Sequence, residues 1–200
     1  MSTTRRIVMF NRVSADGYFA DANGKLDWVV QDEALNKAAA ANLSGPGTML
    51  LGRRTYDMFE AFWPHALDDS ATAPDPHGPG RSKEIRAMAV WINEATKLVV
   101  SRTRKNVTWK NSRLFHELDP REIEAIKKQP GSDIMIFGSG SLVTQLTERG
   151  LVDEYQFVVN PILLGSGRPL LSGATVNAKL DHLESKAFPS GNVMIRYARH

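Results

Sequence analysis

Asp133-Ile134-Met135-Ile136-Phe137-Gly138-Ser139-Gly140-Ser141-Leu142 joins a short apolar, β-leaning run to a glycine corner, and a helical pattern follows over 141–149 until Gly150 stops it. A strand that feeds straight into a helix is the building unit of a parallel α/β sheet. The unit recurs on both sides. Upstream, 7–13 reads as a strand ending in the turn Ser14-Ala15-Asp16-Gly17, with more strand at 18–20 and a second turn at Asp21-Ala22-Asn23-Gly24. Helices are expected over 32–42, 55–62, 83–94 and 120–128, and strands over 48–51, 97–101 and 107–109. Downstream come a strand at 154–159 and two strands, 178–187 and 192–199, around Pro189-Ser190-Gly191. The expected fold is three-layered α/β, a mostly parallel central sheet finished by antiparallel C-terminal strands, in one domain spanning 1–200.

Bulk properties exclude several classes. With 25 Lys plus Arg against 22 Asp plus Glu the formal charge is only +3, and no basic run exceeds two neighbours, which argues against nucleic acid. The absence of cysteine excludes disulfides and thiolate chemistry. The five histidines show no paired metal spacing, so no metal site is expected. Neither a signal peptide nor a membrane span is read, and a cytoplasmic location is expected. Residues 65–82 are rich in proline and glycine and form a long loop, either a lid or a surface insertion.

Ligands of parallel sheets bind beyond the carboxyl ends of the strands. Three such corners carry suitable residues: Gly52-Arg53-Arg54-Thr55, Ser101-Arg102-Thr103-Arg104 and Gly138-Ser139-Gly140-Ser141. The last offers glycines for close backbone approach and a helix start with free amides, which suits a pyrophosphate. It is not a full dinucleotide fingerprint, because Val143 stands where a third glycine belongs. Taken alone it serves equally as a tight turn with a good helix cap. Arg53, Arg54 and Arg102 have the planar donors that recognise phosphate. For acid–base work the candidates are Asp16, Asp27, Asp32, Glu33, Asp153 and Glu154. Asp16 could equally be a turn aspartate bonding its own backbone. Tyr56, Phe59 and Trp63 make an aromatic stripe that reads as core or as pocket wall.

Five motifs in order carry a resemblance. Ser14-Ala15-Asp16-Gly17-Tyr18-Phe19-Ala20 with Gly24, Leu26, Asp27 and Trp28 comes first, then Leu51-Gly52-Arg53-Arg54-Thr55-Tyr56 and Lys97-Leu98-Val99-Val100-Ser101-Arg102-Thr103. Ile136 through Leu142 with Leu151-Val152-Asp153-Glu154, and the stretch from Pro161 to Leu170, complete the set. Together they resemble the riboflavin-biosynthesis reductase domains of the dihydrofolate-reductase-like superfamily, in a stand-alone form. The resemblance implies NADPH as cofactor, with Gly52, Arg53, Arg54, Thr55, Ser101, Arg102 and Thr103 holding the 2′-phosphate side. Gly138, Ser139, Gly140, Ser141 and Leu142 would hold the pyrophosphate, with a cis bond between Gly138 and Ser139.

It further implies Asp16 as proton donor or substrate orienter. Tyr56, Phe59, Trp63 and Leu163 would line the pocket of a small polar heterocyclic or sugar-like substrate. A homodimer is a further expectation. The alternatives are a dihydrofolate reductase, for which Trp28 and Asp32 or Glu33 stand only loosely in place, and a non-catalytic NADP-binding module.

Overall fold

The computed structural model describes residues 4–41, 43, 45, 47–68, 83–173, 175 and 177–200. Among the described residues ten strands and five α-helices follow in chain order: β1 (Ile7–Ser14), β2 (Tyr18–Ala20), α1 (Glu33–Ala41), β3 (Thr48–Gly52), α2 (Arg53–Phe62), α3 (Lys83–Glu94), β4 (Thr96–Val100), β5 (Ser112–Phe115), α4 (Pro120–Lys127), β6 (Ile134–Phe137), α5 (Gly140–Glu148), β7 (Glu154–Asn160), β8 (Arg168–Pro169), β9 (Leu180–Ala187) and β10 (Val193–Arg199). A 3-10 turn, Trp63–His65, follows α2, and residues 69–82 of the expected long loop lie outside the described residues.

The main sheet runs β5-β4-β3-β6-β1-β7-β10-β9. The contacts from β5 to β7 are parallel, and only β10 pairs antiparallel, with β7 on one side and β9 on the other. The carboxyl ends of β1, β3, β4, β5, β6 and β7 therefore share one edge. β2 and β8 form a separate two-stranded ribbon.

Each central strand is apolar on both faces because helices cover both. Ile7, Met9, Leu50, Leu98, Ile134 and Ile136 pack with Leu142, Val143 and Leu146 of α5 and with Ile123 and Ile126 of α4. Alternate residues of the same strands, Met49, Leu51 and Val99, pack with α2 and α3 on the other side. Leu35 of α1 closes a third cluster with Val158, Phe188 and Met194.

The expected strand at 107–109 does not form. Trp109 is apolar because it is buried in the α2–α3 core, its indole donating to Asn93 Oδ1 at 3.0 Å, and the edge strand is instead β5. The described peptide bonds contain no cis bond, so the expected cis Gly138–Ser139 linkage is trans. That corner instead turns through two successive left-handed residues, Gly138 at φ 54 and Ser139 at φ 57.

Candidate functional site

Two of the expected corners are fastened together. Ser139 is 8 % exposed, and its Oγ accepts the Gly52 amide at 2.9 Å and donates to Phe137 O at 2.9 Å. The Ser139 amide donates to Thr55 Oγ1, and the two hydroxyls meet, both at 3.1 Å. Asn11 of β1 adds a bond from Nδ2 to Gly138 O at 3.1 Å. A Cβ on Gly138 would sit 2.9 Å from Thr55 Oγ1, so the closeness of the corners itself requires that glycine.

The start of α5 is fixed just beyond. Leu142 and Val143 donate to Ser139 O at 2.8 and 2.9 Å, which leaves the Gly140 and Ser141 amides as the free first-turn donors of the helix. Leu142 does not join them: its amide is used and its side chain is 2 % exposed within the core, so its expected cofactor contact is withdrawn. Phe19 packs so closely on Gly140 that a Cβ there would fall 2.8 Å from its ring.

Between α2 and the loop after β4 lies an open surface depression of about 360 Å3 lined by Arg53, Asp57, Thr103 and Arg104. Ser101 shapes its loop, its Oγ accepting the amides of Thr103 at 3.3 Å and Arg104 at 3.0 Å. Arg104 is spoken for. It pairs with Asp57 and, at 2.6 Å, with Glu60, and its guanidinium lies 4.6 Å from the Tyr56 ring. Burial opposes its charge, but Glu60 and Asp57 outweigh that and raise its pKa. Glu60 is lowered in return, since bonds from Arg104, Tyr56 and Thr108 outweigh burial. By contrast Arg53, Arg54 and Arg102 make no ion pair among the described residues, and all three are exposed. The corners therefore offer three uncommitted guanidinium groups.

Asp16 joins two loops. Its Oδ1 accepts Ser14 Oγ at 2.6 Å and the Leu164 amide at 3.1 Å, and its Oδ2 accepts the Gly165 amide at 2.7 Å. Ser14 Oγ in turn accepts the Tyr18 amide at 2.9 Å, and the Ala15 amide donates to Ile162 O at 2.8 Å. The Ser14 hydroxyl first, then the Gly165 and Leu164 amides, hold the Asp16 pKa below its ordinary value. Leu163 sits in the same loop and is 74 % exposed.

The aromatic stripe goes inward. Tyr56 and Trp63 are sealed in the α2–α3 core and Phe59 is buried beside them, so none of the three lines an open site. Spacing along a helix selects the face that packs, and here that face is the core. Asp57 and Glu60 are not among the residues expected at the site, and Arg104 is expected only as a member of the Ser101–Arg104 corner, not as a cofactor contact.

Asp32 is also fully used. It caps α1, Oδ1 accepting the Leu35 amide at 2.8 Å and Oδ2 the Ser190 amide at 3.1 Å. Burial works against its charge, but the bonds from Ser190 and the helix amides hold its pKa down.

The model of the RibD C-terminal domain matches residues 5–194. The chain belongs to that family. It is 30 % identical over 194 residues to the uncharacterized protein YyaP of Bacillus subtilis, covering 96 % of this chain and 94 % of that protein. Among solved structures, a protein ascribed to riboflavin biosynthesis from Shewanella sp. PV-4 superposes with a TM-score of 0.70 at 22 % identity, over 98 % of this chain and 99 % of the other. The dihydrofolate reductase of Enterococcus faecalis, solved with NADP(H), superposes at 0.61 with 12 % identity, over 98 % and 96 % of the two chains. These likenesses establish the dihydrofolate-reductase-like fold. Among the described residues no helix is long and apolar enough to cross a membrane.

Proposed function

We propose that this RibD C-terminal domain is an NADPH-dependent reductase of a small polar heterocyclic or sugar-like substrate. One observation carries the reading: the corner that bears Arg53, which lines the depression, and Arg54 is bonded through Gly52 and Thr55 to Ser139, where α5 begins with free amides. Phosphate is the chemistry that both features suit. Arg53, Arg54 and Arg102 would hold the 2′-phosphate, and the Gly140 and Ser141 amides the pyrophosphate. The Ser139–Thr55 bonds keep the two subsites at a fixed spacing. When bound, the nicotinamide supplies the hydride chemistry, and the protein orients the reactants and excludes water.

Asp16 fits the orienting role better than the donating one. A carboxylate whose pKa is held down is ionised at neutral pH and has no proton to give. Through Leu164 and Gly165 it sets the position of the loop carrying Leu163. The riboflavin-type reading is favoured over folate reduction by the family match over residues 5–194, and Asp32 serves as the cap of α1, both its oxygens accepting backbone amides.

The test is a thermal-shift and calorimetric comparison of NADPH with NADH, on wild type and on Arg53→Ala/Arg102→Ala. Removing two charge-assisted phosphate contacts should weaken NADPH by about 3 kcal/mol or more and leave NADH nearly unchanged. Equal binding of both cofactors by wild type would overturn the assignment. NADPH binding with no oxidation across a panel of pyrimidines, pterins and aldehydes would instead identify a non-catalytic module.

A further inference from the structure

The face of α2 turned to the loop after β4 carries Arg53, Asp57 and Glu60, each one helical turn from the next. Arg53 and Asp57 line the open depression together with Thr103 and Arg104 of that loop. A carboxylate among groups suited to phosphate works against them, because it repels a second anion. Asp57 Oδ1 is paired with Arg104, its Oδ2 makes no bond among the described residues, and the side chain is 44 % exposed.

Arg104 holds Asp57 from a fixed position. All three of its guanidinium nitrogens are bonded: Nε to Asn106 O at 2.9 Å, Nη1 to Asp57 Oδ1, and Nη2 to Glu60 Oε2 at 2.6 Å. Glu60 Oε1 in turn accepts the Tyr56 hydroxyl at 2.9 Å and the Thr108 hydroxyl at 3.0 Å, and the Tyr56 oxygen accepts the Trp109 amide at 3.3 Å. A guanidinium so fully used is a poor direct ligand for phosphate, and its side chain is only 21 % exposed. Its effect on the depression is electrostatic. The lining charges are Arg53 and Arg104 against Asp57, a net of one positive; without Arg104 they cancel and Asp57 loses its ion pair. A free acidic side chain suits a ribose hydroxyl, whereas arginine beside a neutralised carboxylate suits a phosphate.

We propose that Arg104 is a positioning residue for cofactor choice: by holding Asp57 in an ion pair it lets the depression accept the 2′-phosphate of NADPH, and without it Asp57 turns the site toward NADH. This rests on the NADPH reading above and names the pair of side chains that sets the preference within it.

The experiment is calorimetry of NADPH and NADH on the full chain, for wild type, Asp57→Asn, Arg104→Gln and Arg104→Gln/Asp57→Asn, read as the ratio of the two affinities. Removing only the carboxylate charge in Asp57→Asn should shift the ratio about threefold further toward NADPH, an effect that shrinks at high salt. Arg104→Gln should shift it about tenfold toward NADH, and adding Asp57→Asn should return it to within about threefold of wild type. A purely structural loss of the loop would weaken both cofactors together, leave the ratio alone and resist that rescue. A ratio unchanged in Asp57→Asn overturns the proposal. So does a double variant as shifted as Arg104→Gln, which would make Arg104 a direct phosphate ligand. Should Arg104→Gln fail to fold, Asp57→Asn decides alone. Wild type that binds neither cofactor, or both equally, sinks the NADPH reading and this proposal with it; a wild-type preference for NADPH with ratios that do not follow Asp57 sinks this proposal only.

Discussion

Replacing Ser139 tests whether the two ligand corners are held by one hydroxyl. Ser139→Ala removes the acceptor of the Gly52 amide and the donor to Phe137 O, and leaves Thr55 Oγ1 without its hydroxyl partner. Stranding a buried amide and losing one further net bond is worth about 2 kcal/mol. Alanine retains the left-handed backbone of Ser139, at φ 57 and ψ 41, whereas Ser139→Gly relieves it. Relief of about 1–2 kcal/mol, less the roughly 0.4–1 kcal/mol by which glycine loosens the unfolded chain, leaves about 0.5–1 kcal/mol in favour of glycine. For a chain of this size each kcal/mol moves Tm by about 2–4 °C. Ser139→Ala should therefore melt about 4–8 °C below wild type and Ser139→Gly about 2–6 °C below. Calorimetry or dye-monitored melting at neutral pH, backed by urea titration, reads both. NADPH affinity should fall in both, since the subsites lose their common brace. An alanine variant as stable as wild type, or a glycine variant less stable than alanine, would refute the reasoning.

Gly47→Ala puts a Cβ 2.2 Å from the Trp91 ring, so the indole must move; a loss of about 1–3 kcal/mol and a changed tryptophan emission are expected, and a wild-type melt would show that contact to be soft. Lys97 is fully buried, its ammonium bonded to Asn93 O at 2.7 Å and Lys110 O at 3.1 Å, and burial lowers its pKa to about 8 from 10.5. Between those values the unfolded chain binds the extra proton, so stability rises with pH. About 1.5 kcal/mol should be gained from pH 8 to about 9.5, and Lys97→Met should abolish that slope in pH-resolved urea unfolding. Asp16 has a lowered pKa, so its brace is present above the ordinary carboxylate pKa and is lost as pH falls through the lower folded value. Asp16→Asn should loosen the 161–165 loop, seen as faster amide exchange at Leu164 and Gly165 and a raised KM; unchanged exchange would remove the bracing role.

The order of strands and helices was legible because each strand-to-helix unit has its own stop. Gly150 closes α5, and Pro189-Ser190-Gly191 turns β9 into β10. The 107–109 segment misled because Val107 and Trp109 carry the hydrophobicity of a strand for a different reason. They plug the α2–α3 core as irregular chain, while the true edge strand, Ser-Arg-Leu-Phe at 112–115, looks weaker since only one neighbour pairs with it. Hydrophobic pattern reports burial, and burial does not fix backbone conformation.

The site divides along the same physical line. Backbone-determined features could be read: glycine at 138 and 140, and the Asp16 turn, are local requirements of corners. Side-chain direction could not. Tyr56, Phe59 and Trp63 share a face, but whether that face meets core or ligand depends on which strand α2 packs against. The charges show it most sharply. Four arginines, 53, 54, 102 and 104, are equivalent in sequence, yet Asp57 and Glu60 neutralise only Arg104 because α2 carries them over the loop after β4. A cation's availability is a property of what its neighbours are already bonded to. That is why tertiary contacts alone separate Arg104 from Arg53, Arg54 and Arg102.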